Sequence, residues 1–518
     1  MKFFMVFKTL WLSFAEFLRV FSDDTKRFFA ALKPQKINWS RLGIILLITA
    51  AAAVFRIPET FSAITYDEAY TYLAFTRGSL WQTISDYHLP NNHILLSLII
   101  NLSLRVLGDH LWVMRLPTLL SGILMIPAVY LLGKRLYSPE SGILAAILVA
   151  ALPELISFSS IARGYIIIAF FTVIVLILGD YLRQEKNLFG WALVIIFFVL
   201  GLFTIPTMLF PFAAFYVWLF LAGLFNDIRD TYSSKFDFFK IWLFSGLIVA
   251  ALTVLLYAPI LLFSRDDLFN NHWLIPVPWE LLADRMWGKS LNTWARWTRP
   301  ISAWMVALWV VGFFSSLLFH KRIAKHKIPS QFAFLVGIII VVLVQRPNAW
   351  PRVWSFLLAP LMIWASAGVI EILKKLPLKL KSRDLLPLLL NGMALIALLW
   401  NAANIIPSFP ARAADQSNVE AVAAYLDKEL QDGDLVLVNL ANTPALQYYL
   451  ETGGSSASYV RHKEPFERVF VVVVAKGDET LSSVLKRYGP KDDPLDGNDA
   501  ILMQSYGSYE IYEIFPSE

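Results

Sequence analysis

Two adjacent acids, Asp67 and Glu68, stand in a tyrosine-rich stretch that follows the first long apolar segment of the chain. A carboxylate can remove a proton from a hydroxyl group within hydrogen-bonding distance, so such a pair can supply a general base. The two acids could instead simply solvate a loop. The neighbouring Tyr66, Tyr70 and Tyr72 could line a pocket at a membrane edge, and this favours a chemical site.

A second polar cluster, Pro90-Asn91-Asn92-His93, precedes another apolar stretch. Asparagine and histidine at the start of a helix can act as caps. Alternatively, the amide groups of the helix start and His93 face an anion or a sugar hydroxyl, because helix N-termini attract anions. Both interpretations stay open, and Asn92 and His93 are retained as candidate substrate-binding residues.

Three arginines lie at junctions between apolar segments. Arg163 stands two residues before Tyr165, and Arg346 and Arg352 flank a proline-bounded turn. An arginine in such a place can snorkel towards lipid headgroups. Its planar guanidinium group can also clamp a phosphate group, and this interpretation makes all three arginines candidate phosphate ligands.

The segment 264–300 mixes basic and aromatic residues. His272 is its candidate substrate-binding residue, and the other members are Arg265, Lys289, Arg296, Arg299, Trp273, Trp279, Trp287, Trp294 and Trp297. Such a mixture suits a lid over a sugar phosphate. It also suits an interfacial aromatic belt, which is the favoured role for most of these residues.

Composition places these residues in an integral membrane protein. The chain has 518 residues, of which 57% are hydrophobic and 16% charged, and a soluble domain averages about a quarter charged. The net charge of +6 does not require a nucleic-acid partner, because membrane proteins carry basic cytoplasmic loops. The absence of cysteine excludes disulfides, thiolate metal sites and a cysteine nucleophile.

The charge pattern predicts the topology. Residues 1–40 contain an amphipathic helix for the cytoplasmic leaflet, and the first span covers 42–57. If 93–107 does not cross, every later basic loop falls on the cytoplasmic side, as the positive-inside rule requires. We therefore predict eleven spans in a domain of residues 41–406: 42–57, 112–133, 141–159, 162–181, 188–205, 208–225, 239–263, 301–320, 331–345, 350–373 and 385–406.

This topology puts the motif-rich segments outside. They are the first loop, 58–111, with 93–107 as a juxtamembrane helix, the large loop 264–300, and the residues 407–518. Strand-like and helix-like stretches alternate after 407, which predicts a small α/β domain with a structural or acceptor-docking role. Within it, 501–515 is predicted as one strand or a hairpin.

Several motifs in fixed order resemble the GT-C superfamily of membrane glycosyltransferases, in its protein O-mannosyltransferase and lipid A aminoarabinose transferase branch. They are Asp67-Glu68, the Pro-Asn-Asn-His segment where relatives often carry His-Pro-Pro, LGDHLWVMRLP at 107–117, VYLLGKR at 129–135 and IARGY at 161–165. The resemblance is best over 40–182. It implies a polytopic helical fold, a polyprenyl-phosphate sugar as donor, and inverting transfer to an acceptor outside an inner or plasma membrane.

The resemblance also implies residue roles. Asp67 matches the proposed general base, Glu68 is its pair mate, and Arg163 falls on a motif near the donor, with Tyr165 beside it. Ile161 replaces the acid of a Glu-Ala-Arg motif in relatives, so no required metal or other cofactor is predicted. The acceptor can be a protein, a lipid or a glycan.

Two other functions compete with an enzyme. A transporter or flippase of a lipid-linked glycan would carry charged residues at mid-span and often show two related halves. The spans here are largely free of charge, which favours the enzyme. A structural partner in an envelope assembly is the third interpretation, and replacing Asp67 separates it from an enzyme.

Overall fold

The computed structural model describes residues 2–515 except 34–37, 230, 272–274, 376–391, 393–407, 462–464, 476–478, 491–494 and 496. The first helices are α1 (Lys2–Leu32), α2 (Trp39–Arg56), α3 (Tyr66–Thr71), α4 (Leu80–Ser85), α5 (Ile94–Leu107), α6 (Leu111–Leu136), α7 (Pro139–Ala151), α8 (Pro153–Ser159), α9 (Tyr165–Gln184), α10 (Leu188–Thr204) and α11 (Leu209–Leu224). They are followed by α12 (Lys235–Leu256), α13 (Ala258–Phe263), α14 (Arg265–Phe269), α15 (Trp279–Thr298), α16 (Ala303–Leu318), α17 (His320–Ile323), α18 (Ser330–Gln345) and α19 (Leu358–Lys375).

The number of membrane-crossing helices is not fixed by length alone. Among the described residues, six helical segments are long and apolar enough to cross a membrane, and the bent pair α7–α8 would be a seventh. Helices α10, α16 and α18 are apolar but shorter, and they coincide with three further predicted spans. The predicted span 385–406 lies outside the described residues apart from residue 392. The multi-pass character is therefore clear, and the count of eleven stays a prediction.

Helix α5 does not carry the chain from one end of the bundle to the other. Arg115, near the start of α6, donates hydrogen bonds to the carbonyl oxygens of Thr60 at 3.1 Å and Ser62 at 2.5 Å, just after α2. The end of α2 and the start of α6 therefore lie on the same side. At 14 residues, α5 is about 21 Å long, shorter than the hydrocarbon core of about 30 Å. These contacts favour a segment 93–107 that does not cross, and its place relative to the membrane stays a prediction.

The opposite end of the bundle gathers the basic loops. Arg183 bonds Asp180 and Asp227, both at 2.9 Å, and Arg135 bonds Asp180 at 2.8 Å. The backbone amide of Lys327 donates to Asp227 at 2.8 Å. Loops that the charge pattern assigned to one side thus meet in one ion-pair network, away from Asp67.

The predicted span 141–159 is broken, which the sequence analysis missed. Helices α7 and α8 meet at an angle of 65°, because Pro153 cannot donate the hydrogen bond that would continue the helix. The buried Arg56 donates to the freed carbonyl oxygens of Val149 at 3.3 Å and Ala150 at 3.0 Å and to Ser159 Oγ at 3.1 Å. The break turns the loop after α8 towards the site described below.

The amino-terminal helix packs partly against the bundle. Asp24 is buried and accepts a hydrogen bond from the amide of Leu188 at 2.5 Å, while Asn187 donates to the Asp24 carbonyl oxygen at 2.8 Å. Phe28 is buried against Phe189 and Tyr181. The predicted helix is present, but its second half packs against the start of α10 and does not lie only on a lipid surface.

Helices α16 and α19 cross through two glycines. A Cβ atom added at Gly368 would lie 1.8 Å from the carbonyl oxygen of Gly312, and one at Gly312 would lie 2.4 Å from that of Ala365. Small residues allow membrane helices to approach closely. This contact fixes α19, and with it the 3-10 helix Pro351–Leu357 that leads into α19.

We expect Gly368→Ala to destabilise the protein by about 1–3 kcal/mol, the usual cost of overpacking, because the new methyl group meets backbone that cannot move aside. Thermal unfolding in detergent measures the effect. Gly43→Ala is the matched control, since a Cβ there has no neighbour within 4 Å and alanine favours a helix by about 0.8–1 kcal/mol. Equal melting temperatures for the two variants would contradict the crossing.

The carboxyl-terminal residues form the predicted α/β domain. Its elements are α20 (Ser408–Glu429), β1 (Asp434–Val438), α21 (Thr443–Gly453), β2 (Arg468–Val474), α22 (Leu481–Tyr488), β3 (Ile501–Tyr506) and β4 (Tyr509–Ile514). The sheet order is β1-β2-β4-β3, with β1 parallel to β2 and the other pairs antiparallel. Residues 501–515 are thus a hairpin, and its turn contains Gly507 at a φ of 58°, which glycine adopts without steric cost.

This domain is docked on the first loop. The hydroxyl group of Tyr449, on α21, accepts a hydrogen bond from the amide of Ile64 at 3.2 Å. Glu451 pairs with Arg77 at 2.8 Å, and the ring of Tyr448 meets that of Tyr72 edge to face at 4.9 Å. The domain therefore contacts the segment that carries Asp67 and Glu68.

Candidate active site

The short helix α3 holds the two acids and is fixed at its first turn by a capping box. The Thr65 hydroxyl accepts from the Glu68 amide at 3.4 Å, and Glu68 Oε2 accepts from the Thr65 amide at 3.0 Å. This reciprocal pairing satisfies helix-start amides. It also separates the two carboxylates, turning Glu68 inward and leaving Asp67 partly exposed.

Glu68 is committed to a buried ion pair. Its two oxygens accept from Nε and Nη2 of Arg115 at 2.7 and 2.8 Å, and both side chains are fully buried. Glu68 Oε1 also accepts from the amide of Ala162 at 2.6 Å. One carboxylate therefore joins α3, α6 and the loop after α8.

The protonation of Glu68 follows from these partners. Burial alone raises the pKa of a carboxyl group. The charge of Arg115 and hydrogen bonds from Arg115, Ala162 and Thr65 outweigh burial and hold the pKa of Glu68 below its ordinary value. Glu68 is thus a paired carboxylate without a free oxygen to take up a proton.

Asp67 is the carboxylate that faces outward, with 33% of its side chain exposed. Its Oδ2 lies 3.7 Å from Nε of Arg163 and 3.6 Å from Nη1 of Arg352. Charge-assisted hydrogen bonds are normally about 2.7–2.9 Å long, so both arginines are near Asp67 without being bonded to it. Three separate elements meet here: α3, the loop before α9, and the 3-10 helix Pro351–Leu357.

The Asn91 side chain and backbone join α3 to Arg163. The Asn91 amide group donates to the Asp67 carbonyl oxygen at 3.0 Å and to Thr71 Oγ1 at 3.2 Å. The Asn91 carbonyl oxygen accepts from Arg163 Nη1 at 3.1 Å. Arg163 is 3% exposed, yet its Nε has no hydrogen-bond partner among the described residues. A buried donor in that state favours an acceptor from a ligand.

His93 is buried beside the two arginines and is neutral. Its Nδ1 accepts a hydrogen bond from the amide of Gly164 at 2.8 Å, so the ring proton resides on Nε2. Burial, followed by the charges of Arg163 and Arg352, lowers the pKa of His93 well below its ordinary value. His93 therefore positions the turn that carries Arg163.

Tyr165 and Asn92, both predicted to bind substrate, have different surroundings. The ring of Tyr165 lies 6.0 Å from the guanidinium carbons of both Arg163 and Arg352, so it lines the same site. The amide group of Asn92 is buried and donates to the carbonyl oxygens of Thr83 at 3.0 Å and Asp86 at 2.8 Å. The geometry of Asn92 suits a role in shaping the loop.

The structure does not bring every predicted residue to Asp67. Arg346 ends α18 in a left-handed conformation with φ of 47°, and its guanidinium lies over the ring of Trp279 at 5.0 Å. His272 lies outside the described residues. Tyr66 is next to Asp67 on α3, and 45% of it is exposed.

An apolar cavity of about 250 Å³ lies between α15, α16 and α19. Its lining residues are Trp294, Trp297, Thr298, Trp309, Val310, Phe313, Phe314, Leu358, Leu361, Met362 and Ala365. Leu358 directly follows the 3-10 helix that carries Arg352, and α15 packs against that helix. The cavity therefore lies at the end of the 3-10 helix opposite to Arg352.

Sequence reasoning missed the partner of Glu68. Arg115 belongs to the motif at 107–117, but the sequence analysis gives it no role. A signal did exist: a lone arginine within an apolar segment usually pairs with an acid, and Glu68 was available. Among the described residues, no group of three or more histidines and acids is arranged to hold a metal ion.

Comparisons with known proteins agree with this architecture. Residues 91–257 match the family model described as dolichyl-phosphate-mannose-protein mannosyltransferase. The apo crystal structure of ArnT from Cupriavidus metallidurans superposes with a TM-score of 0.56 at 11% identity, covering 92% of this chain and 98% of that one.

A second ArnT structure, bound to undecaprenyl phosphate, gives a TM-score of 0.53 at 11% identity over 91% of this chain and 98% of that chain. No curated protein matches the chain by sequence. The family-model match and the shared fold confirm the predicted resemblance: this chain is a multi-pass membrane protein that resembles the GT-C membrane enzymes in fold.

Proposed function

We propose that the protein is an inverting glycosyltransferase that moves a sugar from a polyprenyl-phosphate donor to an extracytoplasmic acceptor. The observation that carries the proposal is the placement of Asp67 between Arg163 and Arg352. In this proposal Glu68 is not the base. It holds α3 in place, because Arg115 and Ala162 occupy both of its carboxylate oxygens.

The local charge suits a phosphate group. Two guanidinium groups face one carboxylate, which leaves one positive charge uncompensated beside a neutral His93. The distances of 3.6 and 3.7 Å leave room for both arginines to bond another acceptor. Arginine is suited to phosphate because its planar donors match the phosphate oxygens.

The reaction then needs one displacement. Asp67 takes the proton of the acceptor hydroxyl, and the hydroxyl oxygen attacks the anomeric carbon of the sugar. The bond from that carbon to the phosphate oxygen breaks, and its electron pair leaves with the polyprenyl phosphate. Arg163 and Arg352 stabilise the charge that develops on the phosphate. A single displacement inverts the anomeric configuration.

The comparisons and the cavity support this donor. The matched family model is named for a dolichyl-phosphate-mannose enzyme, and one ArnT structure of the same fold holds undecaprenyl phosphate. The apolar cavity at the far end of the 3-10 helix that carries Arg352 suits the hydrocarbon chain of such a lipid. Arg346, Tyr66, Asn92, Tyr165 and His272 stay proposed contacts to the substrates.

The proposed orientation follows the basic loops. The ion-pair network around Arg183 lies on the cytoplasmic side by the positive-inside rule. Asp67 and the α/β domain then face the extracytoplasmic side of an inner or plasma membrane. Labelling of a single cysteine introduced at Tyr66 by an impermeant thiol reagent in intact cells tests this orientation, because the native chain has no cysteine.

The direct test of function uses purified protein and a panel of polyprenyl-phosphate sugars. Release of polyprenyl phosphate, measured by mass spectrometry, reports hydrolysis or transfer and names the donor class. We expect one donor to be consumed. Uptake of lipid-linked sugar into vesicles without any release of polyprenyl phosphate would instead support a flippase.

We expect Arg352→Gln to raise KM for the donor about tenfold or more, since a charge-assisted contact contributes about 1.5–3 kcal/mol. Arg352 is 42% exposed, so the variant should fold. The matched control is Arg322→Gln, which removes an arginine that is 68% exposed and pairs with Glu371. An unchanged KM in Arg352→Gln, with the control also unchanged, would remove Arg352 from the phosphate site.

A further inference from the structure

We propose that Tyr66, Tyr70, Asp86 and His88 form a subsite that binds a sugar ring of the acceptor, so that the acceptor is a carbohydrate. This inference rests on the proposed glycosyltransferase function and names its acceptor class. The sequence analysis gives Asp86 and His88 no role and Tyr70 only that of lining a pocket, and the donor site described above does not use these three residues.

A hydrogen-bonded chain connects three of the four residues. Asp86 Oδ1 accepts from the backbone amide of His88 at 3.1 Å and lies 2.6 Å from Nδ1 of the His88 ring. The other ring nitrogen, Nε2, lies 2.8 Å from the hydroxyl oxygen of Tyr70. The chain fixes the ring planes of His88 and Tyr70, so the subsite is formed before any ligand arrives.

The fourth residue provides an exposed aromatic surface. The ring of Tyr66 stacks on that of Tyr70 with an interplanar angle of 22° and a centroid distance of 6.3 Å. Because His88 holds Tyr70, the ring of Tyr66 has a fixed neighbour although 45% of the residue is exposed. A large aromatic side chain held in this way presents a flat face on which a ligand can stack.

The chemistry of this group matches a sugar. The face of an aromatic ring is negative, and the C–H bonds on one face of a pyranose present positive hydrogens to it. Carboxylate and phenol groups bond the hydroxyls at the sugar rim. Both ring nitrogens of His88 are engaged within the chain, so His88 positions its neighbours, whereas the side chain of Asp86 is 28% exposed and its carboxylate can reach a ligand together with the hydroxyl oxygen of Tyr70.

The subsite is next to the proposed base. Asp67 follows Tyr66 directly and precedes Tyr70 by three residues, so all three belong to the first turns of α3. Asn91, three residues after His88, bonds the carbonyl oxygen of Asp67. A sugar stacked on Tyr66 would therefore place its hydroxyls beside Asp67, on the side away from the buried Arg163.

The test is a binding measurement that does not depend on transfer. Saturation-transfer difference NMR is recorded on the full-length protein in detergent with methyl glycosides of glucose, galactose, mannose, N-acetylglucosamine and arabinose, and with an acetylated, amidated serine–threonine peptide. We expect ring C–H protons of at least one glycoside to be saturated. We expect Tyr66→Ala to weaken that binding about tenfold and Tyr66→Phe to retain it.

Two further variants complete the test. His88→Ala should weaken binding of the same glycoside. The control Trp81→Ala removes another exposed aromatic residue of the first loop and should leave this binding unchanged. Three results would each overturn the subsite: saturation of the peptide but of no glycoside, saturation of no probe, or an unchanged glycoside signal in Tyr66→Ala. Failure of the donor assay with glycoside binding intact would instead count against the proposed function.

Discussion

Replacing Asp67 by asparagine is expected to lower kcat for sugar transfer by about a hundred- to ten-thousandfold, the range that general-base catalysis contributes. Asparagine has almost the same shape but cannot take up the hydroxyl proton. The side chain is partly exposed, and its ion-pair partners among the described residues lie 3.6 and 3.7 Å away, so the fold should not change. The donor should still bind, because the variant leaves both guanidinium groups in place.

Release of polyprenyl phosphate and transfer to acceptor are measured together, with circular dichroism and size-exclusion chromatography as checks of folding. Asp266→Asn is the control, because Asp266 is an exposed acid on α14. A folded Asp67→Asn variant that transfers sugar at the normal rate would show that Asp67 is not the base. A loss confined to KM for the donor would assign it to donor positioning.

Breaking the buried ion pair is expected to have the largest effect on stability. Arg115→Met should cost about 3–5 kcal/mol, because the carboxylate of Glu68 would be left buried without its cation. Glu68→Gln should lower the free energy of unfolding by a similar amount, because the guanidinium group of Arg115 would then be buried without its anion. The double variant should be more stable than the sum of the two losses predicts, since neither charge is then left alone.

Thermal unfolding in detergent, followed by tryptophan fluorescence, measures these losses. The pH dependence gives an independent check. Because the pKa of Glu68 in the folded protein is below its ordinary value of 4.5, the pair stabilises the protein fully above that pH and loses its contribution as pH falls through the folded pKa. Glu68→Gln should lack this part of the acid destabilisation. Single variants as stable as the wild type would show that the pair is dispensable.

Periodicity and composition predicted most of the elements. The apolar helices and the α/β alternation after 407 follow from local pattern, which short-range sterics and burial determine. The non-crossing of 93–107 comes from the positive-inside rule and stays a prediction. Of the two forms left open for 501–515, the structure has the hairpin. The bend after Ala151 was missed because an apolar run looks the same whether or not a proline breaks it near its end. Pro153 was the available signal.

The site was predicted in part. Residue type and position predicted Asp67, Arg163 and Arg352 as site residues. The structure places these three side chains together. The bond between Glu68 and Arg115 joins residues 47 positions apart, and no local pattern encodes such a contact. Arg346 shares the turn of Arg352, yet a left-handed backbone directs it to Trp279. The chain from Asp86 to Tyr70 requires a loop conformation that sequence alone does not reveal.

The hydrogen bond from Ile64 to Tyr449 has a mechanical consequence. Ile64 directly precedes Thr65, whose side chain caps the helix that carries Asp67, the proposed base. The bond couples the terminal domain to the start of this helix, so a displacement of the domain would shift the backbone that positions the Asp67 carboxylate. A macromolecule that binds this domain from outside would thereby shift Asp67 without contacting it. The turnover rate would then report whether the macromolecule is bound.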